Sequence, residues 1–148
     1  MNVTDSLKRL TNLCELIPPL LDAIPELEFS FKPSSTKWSK KEILGHLIDS
    51  ATNNHQRFIR IQYESEPIIF YDQNQWNALS NYDTLSTKHL IQFWTIYNQH
   101  LVQLIKATPV KNLNRIGLSR EGQPFPLSFY IVDYVLHLEH HLTQLVSY

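Results

Sequence analysis

Several residue types are scarce in this chain of 148 residues, and each scarcity excludes a class of protein. The single cysteine, Cys14, excludes an internal disulfide framework and a zinc site built from several cysteines. Three glycines are too few for a β protein that is rich in tight turns. The sequence has no apolar run that could cross a bilayer and no signal peptide. We therefore expect a cytoplasmic protein without a membrane partner.

Neither sign of charge is in excess, since 13 basic and 14 acidic residues give a formal net charge of -1. This balance gives no reason to expect a nucleic-acid partner. The one cluster of charge, formed by Lys37, Lys40 and Lys41, is typical of a solvated helix start. The length suits one hydrophobic core, and we expect residues 1–148 to form a single domain.

Apolar residues recur at spacings of three and four, which predicts amphipathic helices. In the first helix we expect Pro18 and Pro19 to break or kink the chain, or to start a short second piece, because a proline ring removes a helical N–H. Ser39 followed by Glu42 is a capping box that starts the second helix. The first predicted helix begins at about residue 5. The other three run from 39 to about 63, from about 86 to 106, and from about 127 to 146.

Three connections separate these helices. Residues 26–37 are predicted to be a loop, and residues 64–76 a connection with a short helix near Trp76. Residues 110–126 contain two glycines and two prolines, which indicates a long excursion with room for a short extended hairpin. The predicted fold is all-α: a four-helix bundle with long connections between the second and third and between the third and fourth helices.

The last helix contains a pair of histidines at metal-chelating spacing. His137 and His141 are four residues apart, so they lie about 40° apart on one helix face. His140 lies about 100° from His141 and is expected to point to a neighbouring helix or to solvent, although His137 with His140 is a rival pairing. The protease motif HExxH is absent because Leu138 follows His137.

A third ligand would come from another helix. His46 has Asp49, Ser50 and Asn53 within about 60° on the same helix face, which gives it a polar wall. His55 points about 180° away from His46 and cannot share its site. The remaining candidates, His89 and His100, have the surroundings of surface residues.

Gly45, just before His46, is unusual inside a helix, where glycine costs about 1 kcal/mol relative to alanine. It is either a tolerated glycine or a point where a backbone or a ligand approaches closely.

Three segments, WSKKEILGHLIDSATNNHQRF, YDQNQW and DYVLHLEHHLTQL, together resemble the DinB-like superfamily of damage-inducible and YfiT-like four-helix bundle proteins. The resemblance extends from about Lys37 to the C-terminus. It implies a divalent-metal triad of His46, His137 and His141, and it places the glutamine of the closing motif at Gln144. Leu142-Thr143 replaces the family's usual Arg-Gly at this point.

The resemblance also implies a homodimer and two kinds of activity. Members of the family are metal-dependent hydrolases or transfer low-molecular-weight thiols such as bacillithiol or mycothiol. The partner would then be a small-molecule substrate, which includes such a thiol. Two alternatives remain open: a metal- or ligand-binding protein without turnover, and a plain helical dimer whose histidines only pack.

Three imidazoles suit both activities. A site of three neutral nitrogens does not compensate the charge of the ion and leaves one coordination position open. The ion can then lower the pKa of a bound water from 15.7 to about 7, or hold a bound thiol as thiolate. Zn, Ni, Fe and Mn all accept imidazole ligands. Asp133, one turn before His137, is a candidate to accept that ring's second N–H. Asp49 is the candidate catalytic residue, and the remaining pocket candidates are Asn53, Gln144 and Trp76.

Overall fold

The structure is a computed structural model that describes residues 2–148. Four long helices form a bundle, which confirms the predicted fold class. They are α1 (Val3–Asp22), α3 (Lys40–Arg60), α5 (Thr87–Ala107) and α6 (Leu127–Leu145). Two short helices, α2 (Glu26–Phe29) and α4 (Gln73–Ser80), lie in the connections. Every helix described in residues 2–148 is too short or too polar to cross a lipid bilayer.

Each long helix packs mainly against two others. Helix α1 contacts α5 and α6, and α3 contacts the same two helices from the other side. The interior is filled by leucines and isoleucines around fully buried aromatic residues that include Phe58, Trp94 and Tyr134. Because α3 and α6 are neighbours, their inward-facing polar residues can meet inside the bundle.

The start of α3 is fixed by the capping box predicted from the sequence. The Ser39 hydroxyl accepts a hydrogen bond from the Glu42 backbone N–H at 3.1 Å, and the Glu42 carboxylate accepts one from the Ser39 N–H at 2.7 Å. Such a cap satisfies two backbone donors that have no partner within the helix. It defines where α3 begins and therefore where its buried face lies.

At the N-terminal end, the predicted break at Pro18 and Pro19 and the predicted loop at residues 26–37 are wrong. Helix α1 continues to Asp22 through Pro18 and Pro19. The prolines lie close to the helix end, where their fixed φ suits a helix and few backbone hydrogen bonds are lost. The segment predicted to be a loop contains α2, whose Phe29 is fully buried. Burial of this aromatic ring stabilises a turn of helix too short for periodicity to detect.

The long connections carry the remaining elements. Helix α4 is capped by Asp72, and a 3-10 turn follows at Tyr82–Thr84. The excursion after α5 contains a hairpin of β1 (Ile116–Leu118) and β2 (Pro124–Pro126), with antiparallel pairing of Gly117 and Phe125. A hydrogen bond of 3.0 Å from the Leu118 N–H to the Pro67 carbonyl ties this hairpin to the connection after α3.

Candidate metal centre

Three histidines converge between α3 and α6. His46 comes from α3, and His137 and His141 come from successive turns of α6. One ring nitrogen from each lies within 4.8 Å of the others. The Nε2 atoms of His46 and His137 are 3.2 Å apart. Two nitrogens bound to one tetrahedral ion at about 2.0–2.1 Å are about 3.3 Å apart, so this spacing fits shared coordination.

The three rings pack edge to face against one another. The ring centroids of His46 are 5.1 Å from His137 and 4.8 Å from His141, and those of His137 and His141 are 4.6 Å apart. Trp38 covers the other side of His46, with 5.0 Å between ring centroids. His46 is 1% exposed, and the other two histidines are half-buried. The cluster is therefore closed toward α3 and open along α6.

Burial keeps these imidazoles neutral. It lowers the pKa of His46 to about 3 and that of His137 to about 4, and repulsion from the neighbouring histidines adds to both shifts. The pKa of His141 is also lowered, first by burial and then by His140. A neutral imidazole offers a nitrogen lone pair, which is the form that ligates a metal. The donor set thus fits a divalent cation without prior loss of protons.

Two buried nitrogens in the cluster have no hydrogen-bond partner among residues 2–148. They are Nδ1 of His46 and Nδ1 of His141. A buried polar atom without a partner costs about 1–3 kcal/mol, so native structures seldom leave one without a reason. His46 approaches His137 through Nε2, so its unpartnered Nδ1 is not the converging atom; it is the convergence of three neutral rings that is consistent with a ligand site.

The second nitrogen of His137 has a different neighbour from the one predicted. Its Nδ1 lies 3.5 Å from the Ser50 hydroxyl on α3. Ser50 in turn accepts a hydrogen bond from the Asn54 amide at 3.3 Å. Asp133, the predicted partner, is solvent-exposed and makes no hydrogen bond to His137 within the described part of the chain. The inward face of α3, rather than the preceding turn of α6, orients this ring.

His140 and His55 lie outside the cluster. His140 is exposed, and its Nε2 is 3.3 Å from the side-chain nitrogen of Gln144. His55 lies on another face of α3, where its Nδ1 is 3.0 Å from the Tyr97 hydroxyl and its ring packs against His100. The geometry separates these two histidines from the three that converge.

Asp49 is a buried carboxyl group one turn after His46, with 4% of its surface exposed. Its Oδ1 accepts a hydrogen bond from the Tyr82 hydroxyl at 2.5 Å, and its Oδ2 has no partner among residues 2–148. Burial raises the pKa of Asp49 to about 6, against the smaller effect of the Tyr82 hydrogen bond. A carboxyl group with such a pKa can gain or lose a proton near neutral pH.

Tyr82 also explains Gly45, and the sequence analysis did not identify it. A Cβ atom at Gly45 would lie 2.2 Å from Cδ2 of the Tyr82 ring. The helix-interior glycine was therefore the available signal, since it marks the point where this ring crosses α3. The other residues proposed for the pocket are dispersed. Asn53 donates to the Asp49 backbone carbonyl at 3.0 Å, and Trp76 packs against Tyr71.

A groove of about 550 Å³ opens beside the cluster. Trp38, which covers His46, forms part of its wall. Gln144, one turn after His140 on α6, forms another part. The sequence analysis placed Gln144 near the site through the resemblance, and the structure puts it on this wall.

The helical bundle and the histidine cluster define the class of the protein: an all-helical domain with a candidate divalent-metal centre between two helices. The family model of the DinB superfamily matches residues 9–145, which is most of the chain. The chain therefore belongs to the DinB superfamily, as the sequence motifs indicated. No curated protein sequence matches it.

Solved structures share the fold at low sequence identity. YfiT from Bacillus subtilis, described as a probable metal-dependent hydrolase with an unusual four-helix bundle topology, is 17% identical, with a TM-score of 0.86 over 97% of this chain and 83% of its own. The mycothiol-dependent maleylpyruvate isomerase is 14% identical, with a TM-score of 0.80 over 99% of this chain and 62% of its own. A mutant of that isomerase is 13% identical, with a TM-score of 0.81 over 100% of this chain and 62% of its own. The isomerase thus extends well beyond the part that this chain matches.

Proposed function

We propose that this protein binds one divalent metal ion through His46, His137 and His141 and acts as a metal-dependent enzyme, either a hydrolase or a low-molecular-weight thiol S-transferase. The observation that carries the proposal is the convergence of three neutral ring nitrogens within 4.8 Å. The description of YfiT as a probable metal-dependent hydrolase supports the first activity, and the mycothiol dependence of the isomerase supports the second.

The chain's own residues suit this chemistry. Three neutral nitrogens leave the charge of a Zn, Ni, Fe or Mn ion uncompensated, and when bound the ion would act as a Lewis acid that acidifies water or a thiol. Ser50 would hold the His137 ring in one orientation through Nδ1. Asp49, whose pKa burial raises to about 6, is the candidate to accept or return a proton.

The metal content of histidine variants tests the site. We expect His46→Ala, His137→Ala and His141→Ala each to lose most of the bound metal, because two imidazoles hold a divalent ion weakly. The matched controls His140→Ala and His55→Ala should keep near-stoichiometric metal by elemental analysis, since neither belongs to the converging group, although the His140 ring packs edge to face against His141.

Two results would contradict this assignment. Metal retained in His141→Ala but lost in His140→Ala would establish the rival pairing on α6. Absence of metal from the wild-type protein, even after refolding with Zn or Ni, would contradict the proposal of a metal site.

Turnover separates the enzyme from a binding protein. We propose screening the metal-loaded protein against amide and ester panels, and against electrophiles in the presence of low-molecular-weight thiols. The second candidate function, a metal- or ligand-binding bundle protein without turnover, predicts bound metal but no product in any of these assays. It is favoured by the fact that Asp49 is the one buried carboxyl group among residues 2–148.

We further propose that the chain acts as one DinB-like domain and forms a homodimer. Helix α5 presents an apolar stripe to solvent, in which Phe93 is 45% exposed and Ile96 is 64% exposed. The Phe93 ring stacks on Tyr97 and His89, which extends this surface along the helix. A stripe of this kind is a candidate interface between two copies of the chain.

A further inference from the structure

The groove beside the histidine cluster has a chemical character of its own. Its wall begins at Trp38, which packs on His46, and at Ile43, which lies one turn before His46 on α3. Its volume of about 550 Å³ is in the range of small-molecule sites. Its polar lining consists of one hydroxyl, one ammonium group and three carboxamides, contributed by Thr36, Lys37, Gln73, Asn74 and Gln144.

The groove contains no carboxylate, and its single charged group is Lys37. Within residues 2–148, the Lys37 ammonium has no ion pair, whereas the nearby Lys32 and Lys40 are paired with acidic residues at 2.9 and 2.7 Å. At the N-terminus of α4, the Asp72 carboxylate accepts hydrogen bonds from the N–H groups of Asn74 and Gln75. The groove therefore has one uncompensated positive charge, carried by a flexible side chain.

We propose that this groove binds the carboxylate end of a small polar substrate, with Lys37 as the residue that selects for the negative charge. The carboxamides can donate to and accept from hydroxyl or amide groups along the substrate, because each carries both an N–H donor and a carbonyl acceptor. Trp38, which lines the groove and packs on His46, provides a flat apolar surface for the substrate to lie against. The proposal rests on the proposed function, because it places the reacting end of the substrate at the metal.

Bifunctional probes can test the groove separately from the metal. The monohydroxamates of succinic, glutaric and adipic acid carry a metal-binding hydroxamate at one end and a carboxylate at the other. The matched probes are alkyl hydroxamates of the same lengths that end in a methyl group. Affinities for the zinc-loaded protein would be measured by isothermal titration calorimetry at low ionic strength, where exposed charges are least screened.

We expect at least one carboxylate-ended probe to bind about threefold to fivefold more tightly than its methyl-ended partner, as for an exposed ion pair. Lys37→Gln should remove this difference while leaving the affinity for methyl-ended probes unchanged. Lys88→Gln is the matched control, because Lys88 is an exposed and unpaired lysine on α5, which contributes nothing to the groove. High salt should reduce the difference in wild-type protein.

The outcomes distinguish the two proposals. Tight binding of both probe series with no carboxylate preference, or a preference that Lys37→Gln does not change, would contradict the proposed role of the groove. Neither result would contradict the metal site. Failure of every hydroxamate to bind the zinc-treated protein overturns the metal site and the groove together.

Discussion

Asp49 places an ionisable group where solvent barely reaches, so its effect on stability depends on pH. The pKa of this carboxyl group is raised from 3.8 to about 6 by burial. Between these values the folded state holds more protons than the unfolded state. The free energy of unfolding therefore falls as the pH rises from about 4 through 6, and it stays lower above that window.

Asp49→Asn should remove this penalty, since an asparagine oxygen can still accept the Tyr82 hydrogen bond. We expect the metal-free variant to exceed wild type at pH 7.5 by on the order of 1–2 kcal/mol in free energy of unfolding, with the advantage gone near pH 4. Urea unfolding at both pH values would measure it. A stability difference that does not change with pH would contradict the buried-carboxyl account.

The same variant tests the proposed role of Asp49 in catalysis. Asp49→Asn should keep any metal bound at the proposed site, because Asp49 is not among the three converging residues. If the carboxyl group moves a proton during the reaction, turnover should fall by about 10²- to 10⁴-fold. Unchanged turnover in the metal-loaded variant would eliminate Asp49 as the acid or base.

Contacts within one helix could be predicted from the sequence, but contacts between distant segments could not. The spacing of His137 and His141 follows from helix geometry, and the motif containing His46 carried the family resemblance. The bonds from Tyr82 to Asp49 and from Ser50 to His137 join residues 33 and 87 positions apart. Helical periodicity gives the face on which a side chain lies, and it does not name the partner that another segment brings to it.

The packing of the 3-10 turn against α3 depends on Gly45. Alanine is favoured over glycine within a helix by about 1 kcal/mol. At this position, however, the added Cβ would lie 2.2 Å from the Tyr82 ring. We expect Gly45→Ala to lower the free energy of unfolding by about 1–3 kcal/mol, as for other overpacked cores, and chemical denaturation would measure the change.

A double variant provides the control for this prediction. In a Tyr82→Ala background the ring is absent, so adding Gly45→Ala should be neutral or stabilising. The difference between the two backgrounds is the coupling between these residues. If Gly45→Ala stabilises the wild-type background as well, the close approach of Tyr82 is not what requires glycine.

The long elements were predictable, and so were the short helix α4 near Trp76 and the hairpin of β1 and β2, whereas α2 was not. The four long helices and the capping box at Ser39 follow from periodicity and capping chemistry, which act over many residues or through specific side chains. Helix α2 has four residues and depends on the burial of Phe29, which is a tertiary effect. The prolines of α1 were expected to break or kink it, or to start a second piece, and the helix continues through them close to its end.

The exposed stripe on α5 is the place to test the oligomeric state of the whole molecule. We expect light scattering to give about twice the chain mass of 17.4 kDa. Ile96→Glu should shift the protein to monomer, because it places a charge in the apolar stripe. Leu27→Glu is the matched control, since Leu27 is 90% exposed on α2, away from that stripe. A wild-type monomer at high concentration would rule the dimer out.

The arrangement of the bundle was predictable only in part. Periodicity gave four amphipathic helices but could not order them around the core, because an apolar stripe fits any neighbour of similar shape. The triad implied by the resemblance required the second and fourth long helices to meet, and α3 does pack against α6. The connection of the hairpin to Pro67 lies outside what either argument could reach.

His46 and His137 are 91 positions apart in the chain, and they meet only where α3 and α6 are docked. In a molten globule, far-ultraviolet circular dichroism stays high while side-chain packing is lost. Such a state would keep the His137–His141 pair within one helix but would separate it from His46. Metal bound at the proposed site would therefore report tertiary order in this fold independently of helix content, and a partly denatured sample of the metal-loaded protein would lose that ion before its helices.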